Sequence, residues 1–216
     1  MLRLKIYQET SHFRIATIGN PYLSYLLPPP STVYGFLRKI TNYENINYKN
    51  TKLSIQGFFN GMSFEKERLV LETKKGIKTN IIPIQKLHET QWVIHINSEE
   101  ILEQKIFNSL KKNKDILRFG RTEDLIIDYS FEKVGEQDIK NFNPEENILH
   151  KYNIYLTWKN GMNFKGQIFS MFVDSEVDEN LKIIGYKPIQ LIYCSINTIK
   201  ENIKITDGKY YVAWII

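Results

Sequence analysis

A single cysteine in 216 residues excludes an internal disulfide and fits a reducing, cytoplasmic setting. Cys194 lies in Leu191-Ile192-Tyr193-Cys194-Ser195-Ile196, an apolar strand-like run, and reads as a buried thiol rather than a nucleophile. The four histidines, His12, His88, His95 and His150, are scattered without metal-ligand spacing, so no metal is expected. Walker loops, dinucleotide fingerprints and GxSxG elbows are missing, and no cofactor is expected. No apolar run could span a bilayer, and the opening MLRLKIYQETSHFR has no stretch of signal-peptide length. The expectation is a soluble, intracellular protein with no membrane partner. Internal repeats and low-complexity tracts are missing too.

Hydrophobic residues make up 42% of the chain and aromatics 13%, which indicates a globular protein. The formal net charge is +5, and its placement says more than its size. Residues 1–60 hold seven bases (Arg3, Lys5, Arg14, Arg38, Lys39, Lys49, Lys52) against two acids (Glu9, Glu44), while the remainder balances. A polyanion would be drawn to that first quarter, since phosphate neutralisation dominates non-specific nucleic-acid affinity. A lysine-rich composition without consequence is the other reading, and charge alone does not choose.

The chain is organised around residues 21–40, PYLSYLLPPPSTVYGFLRKI. Three successive prolines fix φ and donate nothing, giving a stiff extended lead-in. Ser31 is then placed to cap a helix over about residues 31–41, whose apolar Val33, Phe36, Leu37 and Ile40 recur at helical spacing. Gly35 is the odd member, because glycine inside a helix costs about 0.5–1 kcal/mol against alanine. Close packing by a neighbouring strand and the approach of a sugar–phosphate backbone both explain it.

Residues 2–7 alternate as a half-buried strand, and 8–30 form a long connection of the kind that tends to be functional. Residues 53–59 and 62–72 read as two strands about Asn60-Gly61, a type I′ hairpin signal. Lys74-Lys75-Gly76-Ile77-Lys78 is the tip of a projecting hairpin or a solvated loop. A strand at 91–97 and a helix capped by Ser98 and running to about residue 112 complete a β-α-β-β-α-β, ferredoxin-like order. In the stretch 116–126, Arg118 and Arg121 flank Gly120 ahead of Glu123 and Asp124. Such a turn suits a phosphate held by backbone and guanidinium groups, or an arginine–carboxylate pairing that only stabilises the turn. Strands follow at 150–158, 167–173, 190–196, 203–206 and 210–216, the last two about Asp207-Gly208. The polar stretch 135–146 separates an α+β domain, 1–134, from a small β-rich domain, 148–216.

His12 beside Arg14, and His88 near Lys86, are the acid–base candidates, with Tyr22, Tyr25 or Tyr34 to assist. Such a set suits metal-free RNA cleavage. A lone histidine is more often a surface or satisfied core residue, so no catalytic residue is assigned.

Phe13-Arg14 followed by Ser24-Tyr25-Leu26-Leu27-Pro28-Pro29-Pro30-Ser31-Thr32-Val33-Tyr34-Gly35-Phe36-Leu37 resembles the N-terminal motif of the CRISPR-associated Cas-five family. Phe119-Gly120-Arg121-Thr122-Glu123-Asp124-Leu125 resembles the second motif of its type I-B-like branch, where the first position is usually Leu. The resemblance covers residues 1 to about 130. It implies a RAMP protein with an RRM-like, ferredoxin-like N-terminal domain, a projecting thumb hairpin, placed at about 72–90, and a small β-rich C-terminal domain. It implies a non-catalytic Cascade subunit in antiviral defence, capping the 5′ handle of the guide RNA. Its partners would be the backbone (Cas-seven type) subunit, the large (Cas-eight type) subunit and, indirectly, target DNA. The expected RNA contacts are Arg14, Tyr25, Ser31, Thr32, Tyr34, Gly35, Arg38, Gly120 and Arg121, with Lys74, Lys75 and Lys78 on the thumb. In the type I-C branch the corresponding subunit trims precursor guide RNA with a Tyr–Lys–His set. That makes an endoribonuclease using His88, Lys86 and His12 the alternative.

Overall fold

A computed structural model describes residues 1–73, 76–140, 152–159, 165–177, 183–196 and 207–215. Alternation along β1 (Leu2–Ser11) sends Leu2, Leu4 and Ile6 to one face of a sheet and Arg3, Lys5 and Tyr7 to the other. Helix α1 (Pro30–Ile40) buries Val33, Tyr34, Phe36 and Leu37 against that first face. Its cap differs from expectation: Pro29 is the N-cap and makes no side-chain bond, while Ser31 lies inside the first turn. Proline at the first helical position serves because its missing donor would be unpaired there anyway.

Strands β2 (Thr51–Phe58) and β3 (Gly61–Thr73) form as expected but do not pair with each other. Both pair with β4 (Gly76–Ser98), a strand of 23 residues. Its second half takes β2, from Thr51↔Ser98 to Phe58↔Gln91, and its first half takes β3, from Gly61↔His88 to Thr73↔Gly76. Asn60-Gly61 is therefore a passage from sheet to hairpin, not a hairpin turn. The hairpin runs from Gly61 to His88, so the range 72–90 covers its end and returning strand only. Residues 76–81 along it are all exposed.

Helix α2 (Glu100–Lys112) starts one residue later than expected, with Glu99 at the N-cap. Glu103 Oε1 reaches back past the N-cap to accept the Ser98 N–H at 3.1 Å, while the Ser98 hydroxyl caps nothing. Strand β5 (Asp128–Lys133) pairs with β1. Strands β6 (Asn153–Thr157), β7 (Gln167–Val177) and β8 (Ile183–Ser195) extend the same antiparallel sheet through Gln56↔Ile154 and Gly57↔Asn153. The order is β5-β1-β4-β2-β6-β8-β7, with β3 attached to β4 alone.

One core lies between sheet and helices, with Trp92, Ile94 and Ile96 of β4 meeting Leu37, Ile106 and Leu110. Gly57 is required there, since a Cβ would lie 2.4 Å from the Trp92 ring. The other face carries a second core of Val93, Ile154, Ile192 and Cys194, covered by Tyr210 and Tyr211. Burial pushes the Cys194 thiol up to about 12, so it stays protonated. Residues 203–206, expected as a strand, and His150 lie outside the described residues. The Asp207-Gly208 turn forms, with Asp207 Oδ1 accepting the N–H groups of Lys209 at 2.9 Å and Tyr210 at 2.7 Å. Beyond it Ile215 bonds Leu53 O at 2.7 Å as an isolated bridge.

Candidate nucleic-acid interface

The Gly-Arg-Thr-Glu-Asp turn is built around one buried carboxylate. Asp124 Oδ2 accepts the backbone N–H of Arg121 at 3.0 Å and that of His12 at 3.3 Å. The Arg121 guanidinium closes on the same carboxylate through Nε at 3.2 Å and Nη2 at 3.0 Å. Gln8 braces the loop, donating from Nε2 to Phe119 O at 2.9 Å and to Asp124 O at 3.1 Å. Gly120 has φ +111°, and a Cβ there would lie 2.9 Å from Asp124 Oδ2 and 3.3 Å from the Phe13 ring. Backbone and crowding both demand glycine.

Of the two readings of this turn, ion pairing describes Arg121 and not Arg118. Arg121 Nη1 reaches Glu67 Oε2 of β3 at 2.9 Å, tying the turn to the hairpin. Arg118 is exposed and makes no ion pair among the described residues.

Above the turn, α1 presents an uncapped N-terminus with no acid in its first turn. Ser31 and Thr32 open there on a cleft of about 460 Å³ shared with His12, Arg14, Tyr25, Gly120, Arg121, Phe172 and Tyr186. A second cleft of about 310 Å³ is lined by Thr32, Gly35, Lys39, Arg118, Gly120 and Arg121. Thr32, Gly120 and Arg121 border both, so the two form one groove across α1. Gly35 is exposed and a Cβ there would meet nothing within 4 Å. Close packing inside the protein is therefore not its reason.

Several expected contacts lie elsewhere. Tyr34 is buried, its hydroxyl donating to Thr51 O at 2.7 Å, and offers no face for stacking. Tyr25 does line the first cleft but is mostly enclosed, packed against Phe169 with its hydroxyl donating to Ser170 O at 3.2 Å. Arg38 is held by the buried Asp174 of β7 and lines neither cleft. Lys78 stands exposed on the hairpin, away from both clefts, and Lys74 and Lys75 lie outside the described residues. Arg14 is exposed, its guanidinium 3.7 Å from the centre of the Tyr22 ring, and makes no ion pair among the described residues. Stacking in that way leaves its N–H edge free to donate.

The alternative catalytic residues are engaged in different contacts. Lys86 is clamped by Glu65 and Glu67, each at 2.9 Å, and His88 Nε2 pairs with Ser63 Oγ at 2.7 Å. Only His12 lines the cleft, with Nδ1–H donating to Gln85 O at 2.7 Å. Burial and the nearby Arg121 charge hold its imidazole below the ordinary value, against the Gln85 carbonyl. Among the described residues no group of three His, Cys, Asp or Glu side chains is placed to hold a metal, and no helix is long and apolar enough to cross a membrane.

Lys39, Phe172 and Tyr186 escaped the sequence reading of the site. Lys39 follows Gly35 by four positions and so shares its helix face, a signal that was available. Arg118, read from its motif as a possible phosphate contact, does line the groove. Phe172 and Tyr186 sit in no motif, and only the outward phase of the alternation at 167–173 marks the first.

No protein-family model matches the sequence, and no curated protein does. Solved structures do share the fold. A chain of a CRISPR RNA-guided surveillance complex aligns over 93% of both chains at 10% identity and a TM-score of 0.56. A second, described as a Cas protein, aligns over 93% of this chain and 98% of its own, at 10% identity and a TM-score of 0.50. This chain therefore shares the fold of these two CRISPR-associated proteins.

Proposed function

We propose that this chain is a non-catalytic subunit of a type I CRISPR surveillance complex that holds the 5′ handle of the guide RNA. One observation carries the reading. Arg14, Lys39 and Arg118 are exposed, have no ion-pair partner among the described residues, and border one groove. That groove starts at the uncapped N-terminus of α1, where the helix dipole and the Ser31 and Thr32 hydroxyls favour a phosphate. It then passes Gly35, whose missing side chain lets a phosphodiester approach the helix between Lys39 and Arg118. Arg121 shapes this path more than it grips the strand, because Asp124 and Glu67 already take three of its five N–H donors and balance its charge.

In this reading β5-β1-β4-β2 with α1 and α2 is the ferredoxin-like module, and the β3–β4 hairpin is the thumb. Met62, Phe64, Val70, Ile77 and Ile81 are exposed on that hairpin and suit burial against the backbone and large subunits. The non-catalytic choice over precursor trimming is supported by Lys86, whose charge is neutralised by two glutamates, and by His88, which pairs with Ser63 and lines neither cleft.

A labelled RNA carrying a CRISPR repeat, incubated with the purified chain in EDTA, tests it. The expected result is intact RNA bound with marked salt dependence, weakened by Arg14→Ala, Lys39→Ala and Arg118→Ala with a shallower salt slope for each. Cleavage at one position that disappears in His88→Ala overturns the non-catalytic reading.

A further inference from the structure

We infer that the paired rings of Phe172 and Tyr186 are a stacking platform for one splayed base of a single-stranded RNA. The inference rests on the RNA-binding reading above and adds a base contact to a groove that otherwise offers sites for phosphates.

The two rings come from adjacent strands, β7 and β8, with centroids 4.7 Å apart and planes inclined by 30°. Both stay open to solvent, Phe172 at 39% and Tyr186 at 52% exposure. They form part of the wall of the cleft of about 460 Å³ that also contains Arg14, Ser31 and Thr32. A space of that size lies within the roughly 300–1,000 Å³ typical of small-ligand sites, and so suits one nucleotide rather than a duplex. Cross-strand aromatic pairs also stabilise sheets, but that role does not require a cleft. Other large exposed aromatics, Tyr43 and Phe64, border neither cleft.

The placement of the pair is fixed. The β7–β8 register breaks between Phe172 and Asp174, so that the chain past Phe172 turns the Asp174 carboxylate to Arg38 of α1. The strand carrying the platform is thereby fastened to the helix whose N-terminus would receive the phosphate. An aromatic face beside cations and a helix N-terminus is the pairing single-stranded nucleic acid requires, with stacking sequence-tolerant because every base has a π-face.

The test uses the full chain and a single-stranded oligouridylate of about eight nucleotides, a length within known site sizes. One residue is replaced by the fluorescent base 2-aminopurine, at each position in turn. Stacking quenches that base, so one position should be dark with the wild-type chain. Phe172→Leu and Tyr186→Ser should each restore its fluorescence and weaken binding about tenfold, as loss of one base–aromatic stack implies. Tyr186→Phe should keep both properties, which separates stacking from a hydroxyl contact and from misfolding. Salt-sensitive binding with unchanged quenching in both loss variants overturns the platform and leaves the RNA-binding reading standing. A wild-type chain that binds no RNA overturns both.

Discussion

Arginines in this chain divide by what faces them. Arg3 is buried and shared between Glu132 and Asp207, the latter 204 positions away in sequence. Arg38 meets Asp174 from 136 positions away, and Arg121 meets Glu67 from 54. The early excess of positive charge is thus partly consumed inside the fold, by partners no local window could show. Arg14 and Arg118 keep theirs. These environments predict opposite costs in one experiment. Arg121→Ala leaves Asp124 buried without its counterion and should lower stability by about 3–5 kcal/mol in urea denaturation. Arg14→Ala, at an exposed site, should stay within about 0.5 kcal/mol of wild type. RNA binding lost in Arg121→Ala would therefore report on the turn, and only Arg14→Ala reads a phosphate contact cleanly. Equal stabilities for the two variants would show that Asp124 does not depend on Arg121.

Helix α1 and strand β4 show what patterns do and do not encode. The helix was legible because its apolar spacing and proline lead-in both act locally. Ser31 misled because the prolines start the helix earlier, at Pro30, which places Ser31 inside the first turn rather than at its cap. The Asn60-Gly61 signal misled because it describes only a local reversal, whereas β4 is long enough to serve two partners in succession. Gly35 is the site where element and function pull apart. Nothing inside the protein fills the space beside it, so Gly35→Ala should stabilise the helix by about 0.5–1 kcal/mol, seen as a higher urea midpoint. The same methyl would stand in the groove between Lys39 and Arg118, and RNA affinity should fall. A variant gaining stability while keeping full affinity would remove α1 from the RNA path.

Across the whole molecule, the helix-side core was written in the alternation of β1 and β4, while the opposite face was not. There Arg3, His95 and Asp207 meet under Tyr210, and polar residues on a strand look solvent-facing until a distant segment covers them. The titration of this face and of His12 sets an acid response. Burial holds His95 below its ordinary value, against the Asp207 bond, and His12 is held down likewise. Both therefore bind a proton less readily in the fold than in the unfolded chain, which takes up protons below about pH 6.5. Protons bound more by the unfolded state make stability rise with pH, so the urea midpoint should fall from about pH 7 to pH 5. Asp207 and Glu132 act lower down. Burial works against the Asp207 carboxylate, but His95 and two backbone donors outweigh it, and Arg3 chiefly holds Glu132 down. Their contribution is present above the ordinary carboxylate range and is lost only as pH falls through the depressed native values. His95→Gln keeps an amide donor for Asp207 and removes one titrating ring, so its curve should be flatter over about pH 7 to 5. A wild-type midpoint that rises on acidification would reverse the assignment. The fold would then bind the proton, and His95 and Asp207 would be a charged pair on which the C-terminal segment is fastened to the sheet.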